Sequence, residues 1–201
     1  MYDRAVDSSE RLIESTRALL WERGYTGTSP KAIQHLAGAG QGSMYHHFSG
    51  KRELAAAAIE RTAAALRDRA QAQFSAPGTA LQRIEAYLSR ERDVLKGCAV
   101  GRLTQDPDVM ADELLRAPVE ETFGWLRGRV AEILAEGLES GEIAPGLDPV
   151  STATAIIAAL QGGYVLARAA GSAAVFGEAV DGILGLLSAF AVPVAAAEPE
   201  S

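Results

Sequence analysis

Ala37-Gly38-Ala39-Gly40-Gln41-Gly42-Ser43-Met44-Tyr45-His46-His47-Phe48 is the stretch on which the fold turns. Its glycine-rich start cannot sustain a helix cheaply, whereas Met44, Tyr45 and Phe48 return at helical spacing. A turn followed by a short helix from Gln41 to Phe48 is therefore predicted. Upstream, Ser29 offers a capping hydroxyl just before Pro30, a residue suited to the first position of a helix, so a helix is predicted from Pro30 to about Ala37. Residues 29–52 thus read as helix, tight turn, helix. Ile33 and Leu36 are expected to face inward from the first helix, with Met44 and Phe48 anchoring the second. Gln41, Ser43, Tyr45, His46 and His47 are left for the outer side.

Charge gives that outer side a meaning. The chain of 201 residues carries a formal net charge of −7, but residues 1–52 hold seven Lys or Arg against five acids. The first part is therefore +2 and the remainder −9. No Asp or Glu occurs between Glu22 and Glu53, a window that holds Arg23, Lys31, Lys51, Arg52 and all three histidines. An acid-free surface suits contact with a polyanion, and a short helix pinned by a preceding one suits the major groove of double-stranded DNA.

Working outward, Leu12, Ile13, Ala18, Leu19, Leu20 and Trp21 predict an amphipathic helix from Ser8 to Gly24, capped by Ser8 or Ser9. After the Ser49-Gly50 break, Lys51 to Phe74 reads as one long helix closed by Ser75-Ala76-Pro77-Gly78. Further helices are expected over 79–96, briefly over 100–105, over 109–140 with Pro118 as a kink or boundary, over 149–170 and over 173–190. An Ala/Pro/Glu tail is expected to fray. No stretch alternates as a strand would. The fold class is all-α, with about nine helices. The domain reading is a helix-turn-helix module over 1–52, a connecting helix over about 51–74, and a ligand-binding and dimerisation bundle over 53–201.

The run from Ala37 to Phe48, followed by Lys51 and Leu54, resembles the signature of the TetR family of transcriptional regulators, in which a glycine turn leads into Gly-x-x-Tyr-x-His-Phe and then a lysine. The resemblance extends over roughly residues 8–60. It implies that Tyr45 and His47 touch phosphates or bases, that Lys51 meets phosphate, and that Ser29 and Lys31 bind the DNA backbone from the preceding helix. Gln41 and Ser43 are the candidates for base edges, since an amide can bond adenine bidentately and a small hydroxyl fits several bases; His46 joins them as a further candidate. Two positions depart from the family: Gly40 stands in place of a capping Ser or Thr, and Ala39 in place of Val. A weakly capped recognition helix is expected.

The resemblance also implies a homodimer formed through the last two helices and an inducer pocket among the middle ones. Phe176, Val180, Ile183, Leu184, Leu187 and Phe190 form an apolar stripe suited to such an interface, and Gly162, Gly163, Gly182 and Gly185 allow close helix approach. Two recognition helices can then reach half-sites about 34–36 Å apart on a palindromic operator. Tyr87, Leu103, Phe123, Trp125, Leu126, Leu160, Gln161 and Tyr164 are the candidate pocket residues, each equally a core candidate. With few cations among them, a small neutral inducer, apolar or aromatic, is expected. It would stabilise a state in which the connecting helix has swung the recognition helices apart.

Other chemistries find little support. One cysteine, Cys98, excludes an internal disulfide and a clustered thiolate site and reads as a packing thiol. Adjacent His46 and His47 lack the spacing of a metal pair, and the histidines all lie in the first quarter of the chain. No enzyme, metal or cofactor is expected. No signal-like N-terminus or membrane segment is read, and the protein is expected in the cytoplasm. The alternative function is a DNA-binding regulator of the same fold without a small-molecule ligand, governed by its abundance or by a partner protein.

Overall fold

The computed structural model describes the backbone of residues 2–192, and side chains from Ser8 onward. Nine α-helices follow one another among these residues: α1 (Tyr2–Arg23), α2 (Pro30–Ala37), α3 (Gln41–His47), α4 (Lys51–Phe74), α5 (Ala80–Ser89), α6 (Pro107–Ala111), α7 (Glu113–Glu139), α8 (Pro149–Ala170) and α9 (Ala174–Ser188), with a 3-10 turn at Gly101–Gln105 before α6. The only extended pairing among the described residues is a single bridge between Ile143 and Ala191. The chain is all-α, as its periodicity predicts; the Ala/Pro/Glu tail beyond Val192 lies outside the described residues.

Several boundaries differ from expectation for identifiable reasons. Helix α1 begins at Tyr2, so Ser8 is not a cap but a buried residue inside the helix; apolar periodicity could not reveal its polar first turns. Helix α5 stops at Ser89, not Lys96, because the Arg92 guanidinium turns back onto its end, donating to the carbonyls of Leu88 (2.6 Å), Arg90 (2.7 Å) and Tyr87. The expected 109–140 helix is split at Asp112, which closes α6 and opens α7 by accepting from the Leu114 amide at 3.0 Å. Pro118 lies within the continuous α7, where the Thr122 hydroxyl donates to its carbonyl at 2.7 Å.

The chain forms two units, one of residues 1–68 and 96–123, the other of residues 69–95 and 124–201. In the first, Leu12, Leu19 and Leu20 of α1 meet Ile33 and Ala37 of α2, Met44 of α3, Leu54 and Ile59 of α4, and Leu103, Val109 and Leu115 from the later segment. Each buried Leu, Ile, Val or Met side chain contributes roughly 1.5–3 kcal/mol. Leu36, expected to face this core, is 54% exposed. The four-residue step from Ile33 reaches Ala37, and Leu36 one position earlier turns outward.

In the second unit α8 packs along α9. At Gly163 an added Cβ would stand 3.2 Å from the Phe176 ring and 3.3 Å from Ala179, so glycine sets the close approach of the two helices. Phe176, Val180 and Leu187 are buried on this contact, and the Tyr164 and Phe176 rings lie 4.7 Å apart. Of the stripe expected at a dimer interface, Phe176, Val180 and Leu187 are thus buried within the chain, and Ile183, Leu184 and Phe190 are half-buried. The exposed apolar residues of this pair are instead Val150, Val165, Leu166 and Leu186. Although no single apolar run in α8 is long, the whole helix is long and apolar enough to cross a membrane; its buried face packs within the unit.

Candidate nucleic-acid interface

The turn between α2 and α3 is built by Gly38. Its left-handed φ of 58° lets the Gly38 and Ala39 amides donate to the carbonyls of His35 and Gln34, ending α2 and reversing the chain within three residues. At the other end of α2 the Ser29 hydroxyl accepts from the Ala32 amide at 3.1 Å, the predicted cap. Helix α3 has no side-chain cap at Gly40, also as predicted. It is held by Met44, wholly buried, and by Phe48 at its end. Gln41, Gly42, Tyr45 and His46 are exposed, Ser43 and His47 half-buried. One side of α3 is therefore core and the other polar and open.

Three long-range contacts fix this short helix and its surroundings, none of them readable from local pattern. Ser8 Oγ in α1 lies 3.0 Å from His47 Nε2, so one imidazole nitrogen is engaged with α1. Arg11 Nε donates to the carbonyl of Ala37 at 3.1 Å, tying α1 to the end of α2. Lys51 Nζ donates to the Tyr25 carbonyl at 2.7 Å and stands 3.8 Å above the Tyr25 ring. Burial lowers the Lys51 ammonium below its ordinary value, against the opposing pull of Asp106 and Asp108. Ser29 and Lys31 are exposed at the start of α2. The predicted DNA residues thus lie on α2, α3 and the first turn of α4, with Lys51 and His47 already holding intramolecular partners.

Asp106 is the site residue that sequence reading missed. Its carboxylate accepts from the Thr26 amide at 2.9 Å, the Thr26 hydroxyl at 3.1 Å and the Asp108 amide at 3.1 Å, holding the loop before α2 while capping α6. Burial pushes this carboxyl up, yet the hydrogen bonds, from Thr26 foremost, bring it below the usual value. Asp followed by Pro107 is a cap signature that was present in the sequence. Beside it Arg52 forms a bidentate pair with Asp112, at 2.5 and 2.8 Å.

The candidate ligand residues fall into different places. Leu103 and Phe123 belong to the first unit, Leu103 in its core and Phe123 packed against it. In the second unit Tyr87 is buried 4.7 Å from the Phe74 ring, and Trp125, half-buried, stands 6.1 Å from the same ring. Leu126, Leu160 and Tyr164 are buried there, and Gln161 is half-buried. Cys98 is half-buried, its Sγ accepting from the Gly101 amide at 3.2 Å. Among the described residues no group of three His, Cys, Asp or Glu side chains could hold a metal ion.

Comparison with known proteins agrees with this geometry. Residues 12–58 match the family model of bacterial regulatory proteins of the tetR family, and residues 79–183 match the tetracyclin repressor-like C-terminal domain. The chain is 28% identical over 171 residues to an uncharacterised HTH-type transcriptional regulator of Lactococcus lactis, covering 81% of this chain and 84% of the other. A TetR transcriptional regulator from Chloroflexus aurantiacus superposes with a TM-score of 0.84 at 25% identity, over 94% and 98% of the two chains. FadR from Bacillus subtilis, solved in complex with stearoyl-CoA, has the same fold at a TM-score of 0.69 and 20% identity, over 89% of this chain and 96% of FadR.

Proposed function

The chain belongs to the TetR family of bacterial transcriptional regulators, and from that premise we propose that it is a repressor that binds a palindromic operator as a homodimer and is released by a small, mostly apolar or aromatic inducer. The observation that carries the reading is α3 itself: a seven-residue helix seated on Met44 and Phe48, with Gln41, Tyr45 and His46 open on the other side. Residues 1–52 form the DNA-binding module in this reading, α4 connects it, and 53–201 supply ligand binding and dimerisation. Gln41 and Ser43 read base edges; Tyr45, His46 and His47 reach bases or phosphates; and Ser29, Lys31 and Lys51 hold the backbone. Lys51 has three donors, so its bond to Tyr25 leaves others for a phosphate.

Dimerisation is supported by the exposed apolar residues Val165 and Leu166 of α8 and Leu186 of α9, a surface that a second copy would cover. The inducer reading is supported by the aromatic group of Phe74, Tyr87 and Trp125 in the second unit, and by a same-fold neighbour seen with a small molecule. Such a regulator works in the cytoplasm. Selection of bound fragments from a random DNA pool tests the proposal: an enriched palindrome supports it, and no enrichment at moderate salt refutes it.

A further inference from the structure

Arginines that are only half-exposed normally find an acceptor, because a desolvated guanidinium without one is costly. Among the described residues Arg17, Arg67, Arg83, Arg116 and Arg129 pair with carboxylates, while Arg92 and Arg102 donate to backbone carbonyls. Arg90, just past the end of α5, is the exception. It is half-buried, its Nε is shielded and unpartnered, and among the described residues its guanidinium makes neither a hydrogen bond nor an ion pair. It lies instead 5.5 Å from the centre of the Tyr87 ring. Arg92 places a second guanidinium 5.4 Å from the same ring and 5.7 Å from that of Phe176. Two cations therefore converge on one aromatic ring, beside the Phe74–Tyr87 and Tyr164–Phe176 pairs.

We propose that Arg90 is the anchor for a carboxylate on the inducer, whose aromatic or aliphatic body lies against the aromatic side chains of the second unit. The reasoning rests on the reading above that this unit binds the inducer, and it replaces the neutral ligand expected from sequence with an acidic one. The guanidinium fork matches a carboxylate bidentately, and the ligand charge offsets the mutual repulsion of Arg90 and Arg92. Arg92, with its N–H groups committed to the carbonyls ending α5, is the positioning residue that holds the Tyr87 ring and the charge in place.

The test uses the full-length protein and matched probes, 2-naphthoate against 2-naphthamide and decanoate against decanamide, titrated calorimetrically at neutral pH. The acids should bind about tenfold or more tightly than their amides, a margin that one charged hydrogen-bonding group supplies. Arg90→Gln should bring the acids to the level of the amides and leave the amides unchanged. Without ligand, Arg90→Gln should keep or raise Tm, whereas Arg92→Gln should lower it. Amides binding as well as acids, or no probe binding, would overturn the proposal, as would an Arg90→Gln variant that melts as low as Arg92→Gln. If amides release the operator and acids do not, the carboxylate anchor fails while the repressor reading stands; if no operator is selected at all, the repressor reading fails, and the inducer anchor with it.

Discussion

Removing the Asp106 carboxylate should loosen the loop that precedes α2, and the structure sets the size of the effect. Asp106→Ala takes away the acceptor of the Thr26 amide and the cap of α6 together. Loss of a cap costs about 1 kcal/mol, and loss of the hydrogen bonds that Thr26 donates to a charged acceptor costs about 1–3 kcal/mol more. The expected destabilisation is about 2–4 kcal/mol. Asp106→Asn keeps one oxygen but must turn its amide nitrogen toward a donor, so it should lose roughly half as much. Urea unfolding followed by circular dichroism at fixed protein concentration measures both, with the midpoint falling by on the order of 1 M for the alanine variant. The pH dependence adds a second check. Because the folded-state pKa of Asp106 is lowered, its contribution is complete above the unfolded carboxylate value and is lost only as pH falls through the lower folded one. The gap between wild type and Asp106→Ala should therefore be level from about pH 7 to 5 and close in stronger acid. A variant within about 0.5 kcal/mol of wild type, or a gap that widens on acidification, would refute the assignment.

Three further outcomes follow from other sites. Gly40→Ser fits without contact within 4 Å at φ −73° and supplies the missing cap of α3, so calorimetry should record a gain of roughly 0.5–1 kcal/mol. Tyr45→Phe and His46→Ala should weaken binding to a selected operator by about tenfold in gel shifts, while light scattering shows an unchanged oligomeric state. Leu186→Glu, at a 68% exposed apolar position of α9, should raise the concentration at which dimers dissociate by about tenfold or more in analytical ultracentrifugation; an unaltered equilibrium would locate the dimer interface elsewhere.

The helix-turn-helix was legible because its signals are local. Ser29-Pro30, the glycine at 38 and the break before Lys51 each act within a turn, and the observed bounds of α2 and α4 agree with them. What could not be read depends on residues far apart in the chain. The end of α5 is set by Arg92 reaching back, and the division of α6 from α7 by Asp112, whose carboxylate holds Arg52 sixty residues away. Pro118 marks no helix boundary, since α7 runs through it from Glu113 to Glu139. In the site, side-chain chemistry named the outward residues of α3 but not their internal partners. No periodicity links Ser8 to His47 or Asp106 to Thr26. Leu36 shows the limit of hydrophobicity alone: one residue of helical phase separates it from the buried Ala37.

The left-handed turn at Gly38 bears on how this protein can diversify. A side chain at that φ costs about 1–2 kcal/mol, so residue 38 is confined almost wholly to glycine even though nothing lies within 4 Å of where a Cβ would stand. The exposed positions of α3 face no such constraint, because the helix is held from behind by Met44 and Phe48. New surface chemistry can therefore be tried on that helix one residue at a time while its entry angle is inherited unchanged, separating what evolves freely from what must stay fixed for the trial to be possible.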